Sequence, residues 1–275
     1  MYNVIALGKI ACNVAEKFAQ YPQYKIFKVG SHLKKAKQSF VLEVCDTPEE
    51  YEATAPDMSA FFSDVQGREV LFIVSGANYE SGLSLALLQQ LNDSKVSILY
   101  IRPDKTTLDA TEKLQEKVAF NVLQEYTRSA VFEKMYIVHN DILEEVATDI
   151  TVRNYHDKIN ELMVSTLHMI NVFSNSKTEF DTFSDPPEIA RICSFGMASL
   201  DGDEKLYFKL DNSIHKVYYC AMNEEALDDK KLFGKIKNIF RKKNTDTVKV
   251  DYGVFSTNYD VNYVYCVSRS STIQK

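Results

Sequence analysis

The chain has 275 residues, of which 45% are hydrophobic, and a formal net charge of -6 with a pI near 5.5. This acidic balance excludes nucleic acid as a partner of the whole surface, because phosphate binding requires a basic face. No apolar run approaches the length needed to span a bilayer, and the first residues lack the flanks of a signal peptide, so we expect a cytoplasmic protein without a transmembrane segment.

The first 153 residues alternate short apolar, β-branched runs with amphipathic segments. Strands are predicted at 4–7, 26–29, 40–44, 70–74, 96–101 and 134–138. Helices are predicted at 8–21, 57–65, 83–91 and 107–128. Two more are predicted: one begins at the cap from Asp46 to Glu50, and one follows the strand at 134–138 and continues to Val146. This alternation is the signature of a parallel sheet with helices on both faces.

The stretch from Val70 to Leu91 organises this first part. A β-branched strand meets a loop that contains Gly76 and Gly82, and the apolar spacing then becomes helical. In α/β proteins this corner binds ligands, because the crevice lies outside the strand ends and the free N–H groups of a helix start attract anions. Glycine is equally the default residue at a strand-to-helix turn, so a purely structural role for both glycines stays open.

A long helix and a second domain are predicted to follow. Residues 154–175 carry apolar side chains at helical spacing, which predicts one continuous helix of about 30 Å. Residues 174–187 are polar and proline-ended, as in an interdomain hinge. Beyond the hinge we predict antiparallel strands at 191–199, 206–210, 215–222, 248–255 and 261–268, with a helix at 225–241. The predicted domains are 1–153 and 176–275, joined by the central helix.

The element order and several loops resemble those of the tubulin/FtsZ superfamily. Residues Ala6 to Asn13 are similar to the first phosphate loop of FtsZ, with the glycine run reduced to Gly8 and the base-contacting asparagine retained as Asn13. Gly76 to Gly82 falls where the family carries its glycine-rich signature and keeps the outer glycines. Thr178 to Asp181 follows the long helix, where the family places the loop that completes the GTPase site of the next subunit.

This resemblance implies a Rossmann-like parallel-sheet domain joined by a long central helix to a smaller α+β domain. It implies GTP or GDP as the cofactor, with Mg²⁺ accompanying GTP. The cofactor-binding residues that it implies are Gly8, Asn13, Gly76, Ala77, Asn78 and Gly82. The catalytic residues that it implies are Glu179 and Asp181, which would polarise water at a subunit boundary. Solvated hinge charges are the open alternative for that acidic pair.

The departures from the family pattern argue against normal GTP binding. Backbone amides cradle a triphosphate only where glycines allow close approach, and the interior of this signature carries Asn78, Tyr79 and Glu80 instead. A carboxylate beside phosphates is repulsive unless Mg²⁺ lies between them. The third phosphate loop corresponds to Cys45 to Pro48 and contains no glycine. We therefore predict that GTP binding and hydrolysis are weakened or lost.

The segment from Lys230 to Lys243 is the sharpest local charge anomaly. Seven Lys or Arg side chains surround one apolar stripe. Such a basic amphipathic helix can bind an anionic membrane surface or an acidic partner. The structural alternative, which we favour, is that the stripe packs against the second sheet and leaves the lysines solvated.

The cysteines and histidines point to no further site. The five cysteines are scattered in apolar contexts without a C-x-x-C pair, which predicts reduced core residues. The histidines lack metal-ligand spacing, so no metal site is predicted.

The sequence thus predicts a divergent tubulin/FtsZ-like protein that assembles with itself. The loops at Gly8 to Asn13 and Gly76 to Gly82 of one subunit would face the hinge loop at 178–185 of the next. Such a heterologous, longitudinal contact propagates as a filament because it need not close. The alternatives are an active GTPase polymer and a monomeric adaptor that retains only the fold.

Overall fold

The computed structural model describes residues 2–148 and 150–275, which divide into two compact units. The first unit ends at Glu161 and the second runs from Leu162 to Lys275. The strands of the first unit are β1 (Tyr2–Leu7), β2 (Tyr24–Gly30), β3 (Ser39–Val41), β4 (Glu69–Ser75), β5 (Lys95–Arg102) and β6 (Lys134–His139). Its helices are α1 (Gly8–Phe18), α2 (Pro48–Ala53), α3 (Ser84–Gln89), α4 (Ala110–Arg128) and α5 (Asn140–Val146), with a 3₁₀-helix at Tyr79–Leu83.

The sheet of the first unit is wholly parallel. Its strand order is β3-β2-β1-β4-β5-β6, and each neighbouring pair runs in the same direction. The central strand β4 is buried from Val70 to Ser75, as expected of a strand covered on both faces. The predicted Rossmann-like sheet is therefore confirmed, and the strand order reverses between β1 and β4.

Local signals place the helices around this sheet. Thr47 caps α2 by accepting a hydrogen bond from the Glu50 N–H at 3.2 Å, and Pro48 occupies the first helical position. Asp109 and Glu112 form a reciprocal capping box at the start of α4. These caps fix the residues at which α2 and α4 begin.

The second unit is a mixed sheet between two helices. The helix α6 (Tyr155–Ser174) contains the boundary between the units, and α7 (Glu224–Leu227) and α8 (Lys230–Lys243) follow it. The strands are β7 (Phe180–Asp181), β8 (Ile192–Ala198), β9 (Glu204–Leu206), β10 (Ser213–Asn223), β11 (Lys249–Thr257) and β12 (Tyr263–Ser270). Their order is β8-β12-β10-β11-β7, and β9 also pairs with β8.

The two faces of this second sheet are covered by different helices. On one face, Ile236 and Phe240 of α8 pack in a cluster with Tyr218 and Cys220 of β10. On the other face, the ring of Phe173 in α6 lies 4.7 Å from the ring of Phe255. The ring of Tyr219, between these two residues of β10, lies 6.2 Å from that of Phe255, so alternate residues of β10 face opposite layers, as the pleat of a strand requires.

Four sequence predictions are wrong in detail. Residues 57–65 form turns rather than a helix: the N–H of Phe62 bonds the Met58 carbonyl four residues back at 3.0 Å, but the N–H of Val65 bonds the Phe62 carbonyl only three residues back at 2.9 Å. The predicted helix at 225–241 is two helices, since Asp229 caps a new start at α8. The strand predicted at 206–210 lies at Glu204–Leu206. The strands β10 and β11 are parallel, because the helical crossover between them lets β11 return in the same direction.

The long predicted helix and most strands are otherwise present. The helix predicted at 154–175 is α6. The predicted domain limits stay a prediction. No helix of the described ranges 2–148 and 150–275 is both long enough and apolar enough to cross a membrane.

Candidate functional site

The candidate site lies where the strand order of the first unit reverses. Leu7 pairs with Val74 in the register of β1 and β4, so the loops that follow these strands leave the sheet side by side. One loop starts α1 at Gly8, and the other runs from Gly76 into the 3₁₀-helix. In an open parallel sheet this crevice outside the carboxyl ends of the strands is the usual place for a ligand.

Gly8 lies at the base of this crevice with two side chains above it. Its φ of +85° favours glycine, and no side chain caps the start of α1. A Cβ placed on Gly8 would lie 2.3 Å from Nδ2 of Asn78 and 2.9 Å from Oε2 of Glu80. The space above the start of α1 is therefore filled by side chains of the second loop.

The carboxylate of Glu80 joins its own loop to the loop that follows β2. It is 4% exposed, and its Oε1 accepts hydrogen bonds from the N–H of Ser31 at 2.5 Å and from the hydroxyl of Ser31 at 2.7 Å. Its Oε2 accepts from Nδ2 of Asn78 at 2.8 Å, while Oδ1 of Asn78 accepts from the Glu80 N–H at 3.2 Å. The buried negative charge lies beside the positive end of the α1 dipole, which stabilises it there.

Gly76 and Gly82 are sites of close packing. A Cβ on Gly76 would lie 1.8 Å from the hydroxyl of Tyr100, which donates a hydrogen bond to the Glu116 carbonyl at 3.1 Å. A Cβ on Gly82 would lie 2.1 Å from the carbonyl oxygen of Pro48 in α2. The structure thus supports the structural alternative for both glycines, since neighbouring atoms already occupy the space that each one leaves.

Alanine at Gly76 or Gly82 is expected to destabilise the protein by about 1–3 kcal/mol, the usual cost of overpacking. Gly234 on α8 is the matched control, because a Cβ there meets nothing within 4 Å. Gly234→Ala is expected to stabilise by about 0.5–1 kcal/mol, because glycine costs that much within a helix. Urea unfolding of the three variants measures the differences. Equal stabilities for Gly76→Ala and Gly234→Ala would contradict the packing role.

The other predicted cofactor residues differ in exposure. Ala77 is 9% exposed and sits between Gly76 and Asn78 in the loop. Asn13 is exposed in α1, beyond the first turn of the helix. Thus Gly8, Asn78 and Glu80 come together at the crevice, whereas Asn13 faces solvent.

A buried ion pair at the end of β5 was missed by the sequence analysis. Nε of Arg102 lies 2.8 Å from Oε1 of Glu116, with side chains 4% and 2% exposed, and the guanidinium stacks 4.0 Å from the centre of the Phe120 ring. At the end of β6, burial lowers the pKa of His139. Both residues could have been selected as site candidates from the sequence, because each is the last residue of a parallel strand.

The predicted catalytic pair lies in the second unit, in the loop before and within β7. Asp181 accepts hydrogen bonds from the hydroxyl of Thr178 at 2.5 Å and from the N–H of Phe183 at 3.2 Å. The N–H of Glu179 donates to the Val254 carbonyl at 2.9 Å, while its side chain is exposed. The carboxylate of Asp181 therefore shapes the turn.

The far end of this hinge loop is anchored to a buried carboxylate. The N–H and hydroxyl of Ser184 donate to Oδ2 of Asp251 at 3.2 and 2.6 Å, and Nε2 of His215 lies 3.0 Å from the same oxygen. Burial lowers the pKa of His215, against the opposing effect of the Asp251 carboxylate. Both ends of the hinge loop are thus held against β11.

The basic segment 230–243 forms α8, and its apolar stripe is part of the core. Ile236 and Phe240 are 2% and 3% exposed, as the structural alternative predicted. Lys235 pairs with Asp201 at 2.7 Å and Lys243 pairs with Glu204 at 2.5 Å. Phe233 remains 44% exposed at the surface of the helix.

The two units together define a class of protein. A parallel sheet with the order 3-2-1-4-5-6 and a crevice at the reversal is a Rossmann-like architecture, here followed by a long helix and a mixed sheet. More narrowly, the chain has the tubulin/FtsZ fold, as similarity to solved structures shows.

Three solved structures illustrate this similarity. A GTPγS-form protofilament of TubZ from Bacillus thuringiensis serovar israelensis has a TM-score of 0.76 and 15% identity, covering 98% of this chain and 86% of that one. CetZ from Methanosaeta thermophila has a TM-score of 0.68 and 12% identity, covering 98% and 86%. An empty FtsZ dimer from M. jannaschii has a TM-score of 0.67 and 10% identity, covering 98% and 88%. No model of a known sequence family matches the chain, and no curated protein sequence matches it significantly.

Proposed function

We propose that this protein assembles with itself into an open, tubulin-like filament in the cytoplasm, and that its assembly does not depend on GTP. The observation that carries the proposal is the buried carboxylate of Glu80 above Gly8. It lies beside the start of α1, where a bound phosphate would otherwise interact with the helix dipole. The loops are therefore held together by an internal anion.

The residues of the crevice do not fit a nucleoside triphosphate. Side chains of Asn78 and Glu80 fill the approach to Gly8, and a phosphate there would meet the negative charge of Glu80 at close range. Gly76 and Gly82 offer no open cradle, because Tyr100 and Pro48 pack against them. GTP, GDP and Mg²⁺ therefore have no part in the proposed assembly.

The proposed contact joins two different surfaces. The loops at Gly8 to Asn13 and Gly76 to Gly82 of one copy face the hinge loop at 178–185 of the next copy. Both surfaces are held by hydrogen bonds within their own unit, so little ordering is required on association. A contact between unlike surfaces leaves a free surface at each end and continues as a filament. Solved neighbours described as protofilaments and as a two-stranded filament of TubZ support this proposal.

Light scattering and pelleting of the full chain, with and without GTP, test the proposal. We expect equal assembly in both samples and phosphate release at the background rate. Assembly that requires GTP would instead favour an active GTPase polymer. The absence of assembly in both samples would favour a monomeric adaptor.

Asp181→Ala is expected to raise the critical concentration for assembly several-fold without changing phosphate release. The reason is that Asp181 orders the hinge loop through Thr178 and the Phe183 N–H. Thr178→Val removes one of these bonds and keeps the carboxylate, so it should weaken assembly in the same direction. Phosphate release above background that only Asp181→Ala abolishes would instead assign Asp181 to catalysis.

A further inference from the structure

We infer that the exposed face of α8 in one copy docks into an apolar, acid-rimmed groove beside α2 in the next copy. The inference rests on the proposed function, because the partner is a second copy of this chain. It adds a second pair of surfaces to the contact and names the side chains that select the partner.

The groove lies between β3 and α2 in the first unit. It encloses about 360 Å³, and its lining includes Phe40, Leu42, Tyr51, Thr54, Pro56 and Leu83. Val41, which also lines it, is 41% exposed, and Val44, three residues further along the chain, is 79% exposed. Exposed apolar side chains grouped around a concave surface are typical of a binding site for another apolar group.

The border of this groove is acidic. Residues 43–57 contain six Asp or Glu residues and no Lys or Arg. Glu49 and Glu52 lie three residues apart on α2 and are both exposed, so their carboxylates share one side of the helix. Glu50 is engaged within the helix cap, where it accepts a hydrogen bond from the Asp46 N–H at 2.9 Å. Glu43 lines the groove itself and is exposed, so it is the carboxylate best placed to attract a cation, and Glu52 is the exposed carboxylate of α2 next to the lining residue Tyr51.

The exposed face of α8 has the complementary chemistry. Lys230, Phe233, Lys237 and Arg241 follow each other at intervals of three and four residues, which places them on one side of the helix. Among the residues that the structure describes, no carboxylate forms an ion pair with these three cations. Phe233 projects among them, with its ring 5.1 Å from that of Phe180 in β7.

The charge distribution favours a second copy over a lipid surface. Residues 1–161 contain 17 Lys or Arg and 23 Asp or Glu, whereas residues 162–275 contain 15 of each. The excess negative charge thus belongs to the unit with the groove, and a membrane partner for α8 would leave the acidic border without a counterpart. Complementary charges of this kind steer and select partners.

Each new surface is continuous with one already proposed as a contact. α2 touches the loop of the candidate site, since Gly82 packs on the Pro48 carbonyl. Phe233 of α8 touches Phe180 in the hinge loop. The same association can therefore engage the loops and the groove together.

Charge reversal in the full chain tests the inference. Lys230→Glu with Lys237→Glu, and separately Glu43→Lys with Glu52→Lys, are each expected to raise the critical concentration about tenfold or more. An equimolar mixture of these two double variants should assemble again, because each reversed surface then meets an opposite charge on the other variant. Lys113→Glu with Lys117→Glu is the matched control, with the same change of charge at exposed sites four residues apart on α4, and should assemble like the wild type.

Phe233→Ala provides a measurement that does not depend on charge. It should weaken assembly at both low and high salt, whereas the effect of the charge reversals should diminish as salt screens them. Circular dichroism of each variant confirms that the fold is retained.

The outcomes separate this inference from the proposed function. Normal assembly of the α8 double variant would overturn the inference and leave the filament proposal intact. Normal assembly together with lost binding to phosphatidylserine vesicles would assign α8 to a membrane surface instead. Failure of the mixed variants to assemble, with each variant folded, would also contradict the α8–α2 contact. A wild-type chain that does not assemble would overturn both proposals.

Discussion

Glu116→Gln is expected to lower the free energy of unfolding by about 3–5 kcal/mol, because it leaves the charge of Arg102 buried without its partner. The Arg102–Glu116 pair is one of the most deeply buried ion pairs in the described part of the chain, with side chains 4% and 2% exposed. The backbone carbonyl of Glu116 also accepts a hydrogen bond from the hydroxyl of Tyr100, which packs against Gly76. Loss of the pair should therefore loosen the loop of the candidate site as well as the core.

The control for this prediction lies on the same helix. Arg128 pairs with Glu125 at 3.1 Å, but both side chains are more than half exposed, at 54% and 53%. Glu125→Gln is expected to cost no more than about 0.5 kcal/mol, since solvent screens exposed pairs. Urea unfolding compares the two variants. A double variant, Arg102→Met with Glu116→Leu, should recover most of the lost stability, and failure to recover it would show that the charge is not the cause.

Glu80→Ala is expected to raise the affinity for GTP at least tenfold. Like charges about 4 Å apart repel by about 4 kcal/mol at an effective dielectric constant of about 20. A tenfold gain corresponds to about 1.4 kcal/mol, about a third of that repulsion. The alanine also removes one of the two side chains that fill the approach to Gly8. Titration with a fluorescent GTP analogue measures the change.

Two further variants distinguish charge from bulk. Glu80→Gln keeps the size of the side chain and removes its charge, so it should recover part of the gain. Glu69→Gln lies at the opposite end of β4 and should leave the affinity unchanged. Tight GTP binding by the wild-type chain would contradict the proposal that Glu80 replaces a bound phosphate.

The sequence predicted the arrangement of the first unit well because its signals are local. The β-branched runs that became β4 and β5 are buried on both faces, and Thr47 with Pro48 marks the start of α2 directly. The alternation of such runs with helices leaves few topologies, and a parallel sheet is the simplest of them.

The details that failed depend on distant partners. The helical spacing of Met58 and Phe62 is real and both are buried, but the start of the segment is held by a distant side chain, because Gln90 accepts from the Met58 N–H and donates to the Pro56 carbonyl. The parallel pairing of β10 and β11 follows from a crossover whose path a local pattern does not reveal. For the site, the motif drew attention to glycines, whereas the organising group is Glu80. Its partner Ser31 lies 49 residues away in sequence, so only the fold brings them together.

The cysteines provide a way to label the protein and follow its assembly. The structure describes all five, and four of them are buried, with burial raising the pKa of Cys12 and Cys220 to about 12. A maleimide reacts with the thiolate, so these thiols should be protected while the chain is folded. Cys45 is partly exposed and lies in the acid-rich segment beside the groove. A single dye should therefore attach there without mutagenesis, and its emission would follow filament growth in real time.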